Sequence, residues 1–166
     1  ESKHYTFDEG KKMFEKTKNL SSELLNVLAA AGDPWLIVNN LTFELDGQLS
    51  RVPAIASYVG ISSLLMELPT PAETMFATLI GDLGLLKLSP SHFKKELKEM
   101  NDEDKNVYLN HPNFSINLVL ERKLPITDKI RHIVMHSHEN ILGTGFPKGE
   151  KCVREKISIE SQLIQV

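Results

Sequence analysis

The chain has 166 residues, 41% of them hydrophobic and 25% charged, with a formal net charge of −3. That length can bury one core, so a single domain is expected, and the weak negative charge gives no electrostatic reason to expect a nucleic-acid polymer or an anionic membrane surface as partner. Cys152 is the sole cysteine, which excludes an intramolecular disulfide and a thiolate zinc cluster.

No apolar run approaches the roughly 20 residues of a membrane span, and no signal peptide opens the sequence; the expected location is cytoplasmic. The sequence begins at Glu1 and ends at Val166 inside an amphipathic segment, so a piece of a longer protein is expected.

Helix signals dominate. Thr6 with Glu9 has capping-box spacing, and Phe7, Met13, Phe14, Leu20, Leu24, Leu25 and Leu28 follow at broadly helical spacing, predicting a first helix over about Phe7 to Ala31. Gly32-Asp33-Pro34 stops it. Trp35 to Leu45 suits a strand or a buried helix and is read as helix, because no pairing strand with hairpin chemistry lies nearby. A helix from about Gln48 to Val59 places Val52, Ile55, Ala56 and Val59 on one side; Gly60 is expected to end it, with a short helix after Ser62.

Thr70-Pro71-Ala72-Glu73 is a start signal, with a capping Thr and Pro at the first helical position. That helix should turn Met75, Phe76, Leu79 and Ile80 inward and run into Gly81-Asp82-Leu83-Gly84. Ser89-Pro90 begins another, and the mixed charges of residues 94–99 read as a solvated face rather than a binding patch. Asn101 is expected to cap a short helix ending before His111-Pro112, where Pro112 suits a new N-terminus. Thr127 caps a helix carrying Ile130, Ile133 and Val134, and Val153 to Val166 should place Ile157, Leu163 and Ile164 on one face. The fold class is all-α, a helical bundle of about eight helices by this reading.

The densest chemistry lies in residues 136–149, where two histidines, a glutamate, three glycines and a proline stand at the end of one helix and in the loop beyond. His136-Ser137-His138-Glu139 followed by Gly143-Thr144-Gly145-Phe146-Pro147-Lys148 resembles the signature His-His-Glu-x-x-Asp-Gly-x-Gly-Tyr-Pro of the HD-GYP proteins, with Ser137, Leu142 and Phe146 in place of His, Asp and Tyr. Gly81-Asp82-Leu83-Gly84-Leu85 resembles that family's His-Asp-x-Gly-Lys, with Asp82 kept. His111-Pro112 matches its His-Pro ligand motif, and Leu49 stands where an additional His is often found. The motifs are individually weak, and their order and spacing together make the likeness specific.

The resemblance implies an HD-domain-like helical bundle over residues 49–166, preceded by an N-terminal helical segment over 1–48 that packs on it or leads into it. The family's last Asp ligand would fall at or just past Val166. It implies metal-dependent hydrolysis of cyclic di-GMP, in which water is acidified by ions held by histidines and carboxylates. Asp82, His111 and His138 are the retained ligand positions, whereas Leu49, Gly81 and Ser137 are lost and the phosphate-facing Lys has become Leu85.

His132 and His136, four residues apart, can share a helix face and could add a ligand, with His136 replacing the His missing at 137; ordinary boundary histidines are the commoner outcome of that spacing. Asp82 between glycines, and His111 before proline, read equally as turn formers, and Gly143 and Gly145 as positions of positive φ.

The first functional expectation is therefore a degenerate, non-catalytic HD-GYP-like module of bacterial cyclic di-GMP signalling. It would bind a protein partner, such as a diguanylate cyclase domain, through Gly143, Gly145, Phe146, Pro147 and Lys148, with no metal or a partly occupied divalent site. The second is a phosphodiesterase with a rearranged Fe or Mn site built from Asp82, His111, His136 and His138, taking a cyclic dinucleotide. The third is a helical scaffold or homodimerisation unit, for which the amphipathic first helix is the only hint.

Overall fold

The computed structural model describes residues 7–33, 48–88, 96–149 and 156–165. Thr6, Trp35 to Leu45, the start at Ser89-Pro90, Lys94 and Lys95, Cys152 and the side chain of Leu49 lie outside them, with the readings made of each. Among the described residues the fold is all-α, with six α-helices and two 3-10 turns.

Helix α1, Phe7–Ala30, buries Ser21, Leu25 and Leu28 and sets the Phe14 ring edge-on to Phe76, with centroids 5.1 Å apart. Its apolar stripe is narrower than the sequence suggests. Met13 and Leu20 are about half exposed, because they flank the line through Phe14, Ser21, Leu25 and Leu28 rather than lying on it.

Helix α2, Gln48–Leu65, runs straight through Gly60, contrary to the expected stop. A Cβ at Gly60 would meet Leu25 Cδ2 at 2.7 Å and Met75 Sδ at 3.3 Å, so this glycine lets α2 approach α1 and α3 closely. The short helix expected after Ser62 is the last turn of α2. Ser57 and Ser63 are buried, and each hydroxyl is satisfied by the carbonyl four residues earlier.

Helix α3, Pro71–Gly81, is the central rod, with Thr74, Met75, Phe76, Ala77, Thr78 and Ile80 all buried. Pro71 sits at its start as expected, but the Thr70 hydroxyl makes no capping bond. Phe76 and Ile80 join Ile116, Val119, Ile130, Ile133 and Val134 in the main core. Asp82 ends α3 and opens the 3-10 turn Asp82–Lys87. The second 3-10 turn, Leu97–Glu99, is solvated, with Lys98 paired to Glu96 at 2.6 Å.

Helix α4, Asp102–Glu121, corrects the expectation of two short helices meeting at Pro112. Asn101 caps it, accepting from the Asp104 amide at 2.8 Å, and the helix continues through Pro112 for 20 residues. Helix α5, Asp128–His136, starts where Thr127 accepts from the Ile130 amide, and Ile130, Ile133 and Val134 are fully buried.

Helix α6, Ile159–Ile164, is docked on α5 by the Ser161 hydroxyl donating to the Ile133 carbonyl and by Lys129 meeting Glu160 at 2.5 Å. Burial opposes the Glu160 charge. The hydrogen bonds from Lys129, the backbone and Ser158, with the Lys129 charge, outweigh it and hold the carboxyl below its usual range.

A carboxylate pKa lowered on folding adds stability that is complete above the unfolded value, about 4.3, and fades as pH falls through the lower folded value. The thermal midpoint should therefore drop more steeply on acidification below about pH 4 in the wild type than in Glu160→Gln. Parallel midpoint curves for the two proteins would remove this pair from the acid response.

Candidate metal centre

Three ligand atoms converge where the 3-10 turn, the middle of α4 and the residues after α5 meet. One ligand atom from each of Asp82, His111 and His138 lies within 4.8 Å of the other two. Asp82 Oδ1 is 3.3 Å from His111 Nε2, and the two imidazole Nε2 atoms are 3.2 Å apart. His111 is buried, while Asp82 keeps 32% of its side chain exposed, so the cluster opens to one side.

The orientation of His111 follows from its neighbour. In an α-helix the amide of residue 112 would bond the carbonyl of Tyr108, and proline has no amide hydrogen to give. That carbonyl is instead taken by His111 Nδ1 at 2.6 Å. With Nδ1–H donated there, the tautomer that carries one ring proton turns the lone pair of Nε2 toward Asp82 and His138. The His-Pro pair is thus a device for presenting a lone pair, made in mid-helix rather than at a helix start.

The position of Asp82 also has a local cause. The fully buried Ser115 of α4 donates its hydroxyl to the Gly81 carbonyl and accepts from the Gly84 amide at 2.7 Å, clamping the turn onto α4. Gly84 itself lies against the α4 backbone, where a Cβ would come within 2.2 Å of the His111 carbonyl oxygen. Ser115 carries no motif, and no periodicity marks it; only the pairing of the turn with α4 reveals its role.

Burial pushes His138 down to about 4, helped by neighbouring His111 and opposed by Asp82. Its imidazole is therefore unprotonated at neutral pH, as a metal ligand must be. A neutral His138 beside a His111 lone pair and a carboxylate leaves acceptors facing one another across about 3 Å. A shared ring proton or a bound cation would hold them there. The donor set of two imidazoles and one carboxylate suits a divalent transition ion such as Zn, Fe or Mn.

The glycine-rich loop folds back on this cluster. The Phe146 amide donates to the His138 carbonyl at 3.0 Å, and the Phe146 ring stacks on His138 with centroids 4.5 Å apart at 14°. Tyr108 and His111 flank the same ring at 5.8 and 5.7 Å. Gly143 has φ 76°, as its glycine suggests, but Gly145 has no positive φ. Gly145 is needed because a Cβ there would lie 2.3 Å from the His138 carbonyl oxygen. Pro147 follows Phe146, Lys148 donates its amide to Glu139 Oε1 at 2.6 Å, and the Lys148 side chain faces solvent.

Glu139 is fully buried, and its other carboxylate oxygen has no hydrogen-bond partner among the described residues. Outward from the loop stand Ile141 and Leu142, 55% and 69% exposed.

His136 is not part of the cluster among the described residues. Its Nδ1 bonds the His132 carbonyl at 2.8 Å, and its ring stacks on His132 at 4.2 Å. Burial, then His136 and Lys129, lower the His132 pKa. Gly81 and Ser137, the two other lost positions, face one cavity of about 170 Å³ beside Asp82 and His138, walled by Val52, Ile55, Ala77, Thr78, Ile164 and Gln165. Leu85 is buried instead of facing that space.

Among the described residues, no helix is long and apolar enough to cross a membrane. A family model described as the HD domain matches residues 13–166, beginning within α1. Comparison with curated proteins and with solved structures gives no match.

Proposed function

The chain belongs to the HD-domain family, and from that premise we propose a degenerate domain of the HD-GYP type that holds one divalent ion and works in cyclic di-GMP signalling by contact rather than turnover. The observation that carries this reading is the cavity beside Asp82 and His138. Gly81 and Ser137 both face it without offering an imidazole, and among the described residues no lysine or arginine lines it. Three protein ligands are enough for one ion, and among the described residues the cavity offers a second ion no further histidine and no carboxylate besides that of Asp82.

A bound ion would supply Lewis acidity to whatever reached its open side. The chain's own residues present the ligands: Pro112 turns His111, Ser115 holds the Asp82 turn, and Phe146 packs on His138. Among the described residues a phosphodiester would find no lysine or arginine in that cavity to balance its charge, and Leu85 is withdrawn into the core. The exposed Ile141 and Leu142 give the loop an apolar tip suited to a protein surface, for which a diguanylate cyclase domain is the expected partner.

The second reading, a working phosphodiesterase, is favoured by the convergence of Asp82, His111 and His138 themselves, since HD domains commonly serve metal-dependent phosphohydrolysis. Elemental analysis and turnover separate the two. Protein reconstituted anaerobically with Fe or Mn should carry about one ion per chain and lose it in Asp82→Ala and His138→Ala, each of which removes one of three ligands. It should leave cyclic di-GMP and its linear dinucleotide intact. About two ions with steady hydrolysis would establish the second reading and end the first.

A further inference from the structure

We propose that the cavity beside the ligand cluster is a binding site for one small, neutral aromatic ring bearing a nitrogen donor, of the azole class, which completes the coordination of the ion. The inference rests on the metal reading above and adds a ligand to it.

Size is the first argument. The cavity measures about 170 Å³, and an apolar protein cavity of about 150 Å³ accommodates a single benzene ring. One five- or six-membered ring fits, and a nucleotide does not.

The wall chemistry narrows the choice. Val52, Ile55, Ala77 and Ile164 give apolar surfaces for ring faces. The hydroxyl protons on the wall are already donated, that of Thr78 to the Thr74 carbonyl and that of Ser137 to the Val134 carbonyl. Among the described residues the lining includes no lysine or arginine, and Asp82 presents a carboxylate to it beside the neutral amide of Gln165, so an anionic ligand finds no side-chain cation there. What the walls favour is an uncharged ring.

The donor requirement comes from the coordination count. Asp82, His111 and His138 could supply three ligand atoms, and two of those residues, Asp82 and His138, line the cavity. An ion held by those three residues would accept further donors, and an aromatic nitrogen matches the imidazoles already present. Gly81 has helical backbone angles, φ −56° and ψ −38°, and a Cβ there would meet nothing within 4 Å. No backbone strain or close contact requires a glycine at 81, so the open space at this position is available to a ligand.

Cobalt(II) is the probe, because its visible absorption reports a change of ligand directly. Imidazole titrated into the cobalt-loaded chain should alter that absorption saturably. At tenfold excess over its own dissociation constant it should raise apparent cobalt affinity about tenfold by linkage. Gly81→Leu, whose side chain fills the cavity, should keep the cobalt and lose the imidazole response. Gly81→His should bind cobalt more tightly without imidazole and likewise ignore it, since a tethered ring acts at high effective concentration.

Circular dichroism on both variants confirms that they are folded. Cobalt binding that is indifferent to imidazole in the wild type, or an imidazole response that survives in a folded Gly81→Leu, would overturn the ring site and leave the metal reading standing. Failure to bind cobalt under either condition would overturn both.

Discussion

Gly84→Ala should destabilise the fold by about 3 kcal/mol, the upper range for forcing an extra carbon into a packed site, while Gly81→Ala in the same motif should be neutral or stabilising. The two glycines look alike in sequence and differ in what faces them. A Cβ on Gly84 would lie 2.2 Å from the His111 carbonyl oxygen and 2.9 Å from the Ser115 amide nitrogen. Both are backbone atoms of a buried helix, so no side-chain rotation relieves the clash. The turn would have to lift off α4, breaking the hydrogen bond that the Gly84 amide donates to the Ser115 hydroxyl and carrying Asp82 away from His111.

At Gly81 the backbone is already helical and the space is open, so alanine removes unfolded-state freedom worth about 0.5–1 kcal/mol at no steric cost. Thermal denaturation reads both effects. For a chain of this size the loss at Gly84 corresponds to a fall in midpoint of about 6–12 °C. Equal midpoints for the two variants would mean that the turn is not pressed on α4 as described. Gly145→Ala provides an internal check, because its Cβ would come within 2.3 Å of the His138 carbonyl oxygen. It should also cost stability, and it should displace Phe146 from His138.

The same comparison shows what could be read from the sequence. The helical class was legible because apolar spacing and caps are local, and Asn101 and Thr127 cap their helices as read. Asp82, His111 and His138, which the fold brings together, could be named from motif order alone, since each stands in a short signature. What the sequence did not disclose were roles defined by a neighbour across the fold. Gly60 and Pro112 were read as breaks because both residues usually are. Gly60 instead admits Leu25 from α1, and Pro112 sits in a helix long enough to carry the missing bond.

Ser115 was invisible because its partners, Gly81 and Gly84, are more than 30 residues away. Gly145 was read as a positive-φ glycine, yet it is set by close approach to the backbone of His138, which only the folded loop reveals.

Pro112→Ala is expected to weaken metal binding by about 10- to 100-fold, the range for losing a partner that orients a ligand, without a matching loss of stability. Proline in a helix interior is unfavourable relative to alanine by about 3 kcal/mol. Some of that is recovered on substitution and some is forfeited, because Pro112 is fully buried and alanine packs less. The new amide hydrogen would claim the Tyr108 carbonyl in the ordinary helical way, in competition with His111 Nδ1, which now holds it at 2.6 Å. His111 would then be free to place its proton on Nε2, where it blocks the inward lone pair, or to swing from the 3.2 Å approach to His138.

A structural defect would lower stability and affinity together, whereas release of the ring lowers affinity while the midpoint holds or rises. Competition with a chelator measures the affinity, and nitrogen chemical shifts of the labelled imidazole report which ring nitrogen carries the proton. Unchanged affinity with Nδ1 still protonated would show that something other than the missing proline amide fixes His111. The expected opposite movement of affinity and stability would mark the helix-breaking residue in mid-helix as a price in stability set against a ligand held ready for metal.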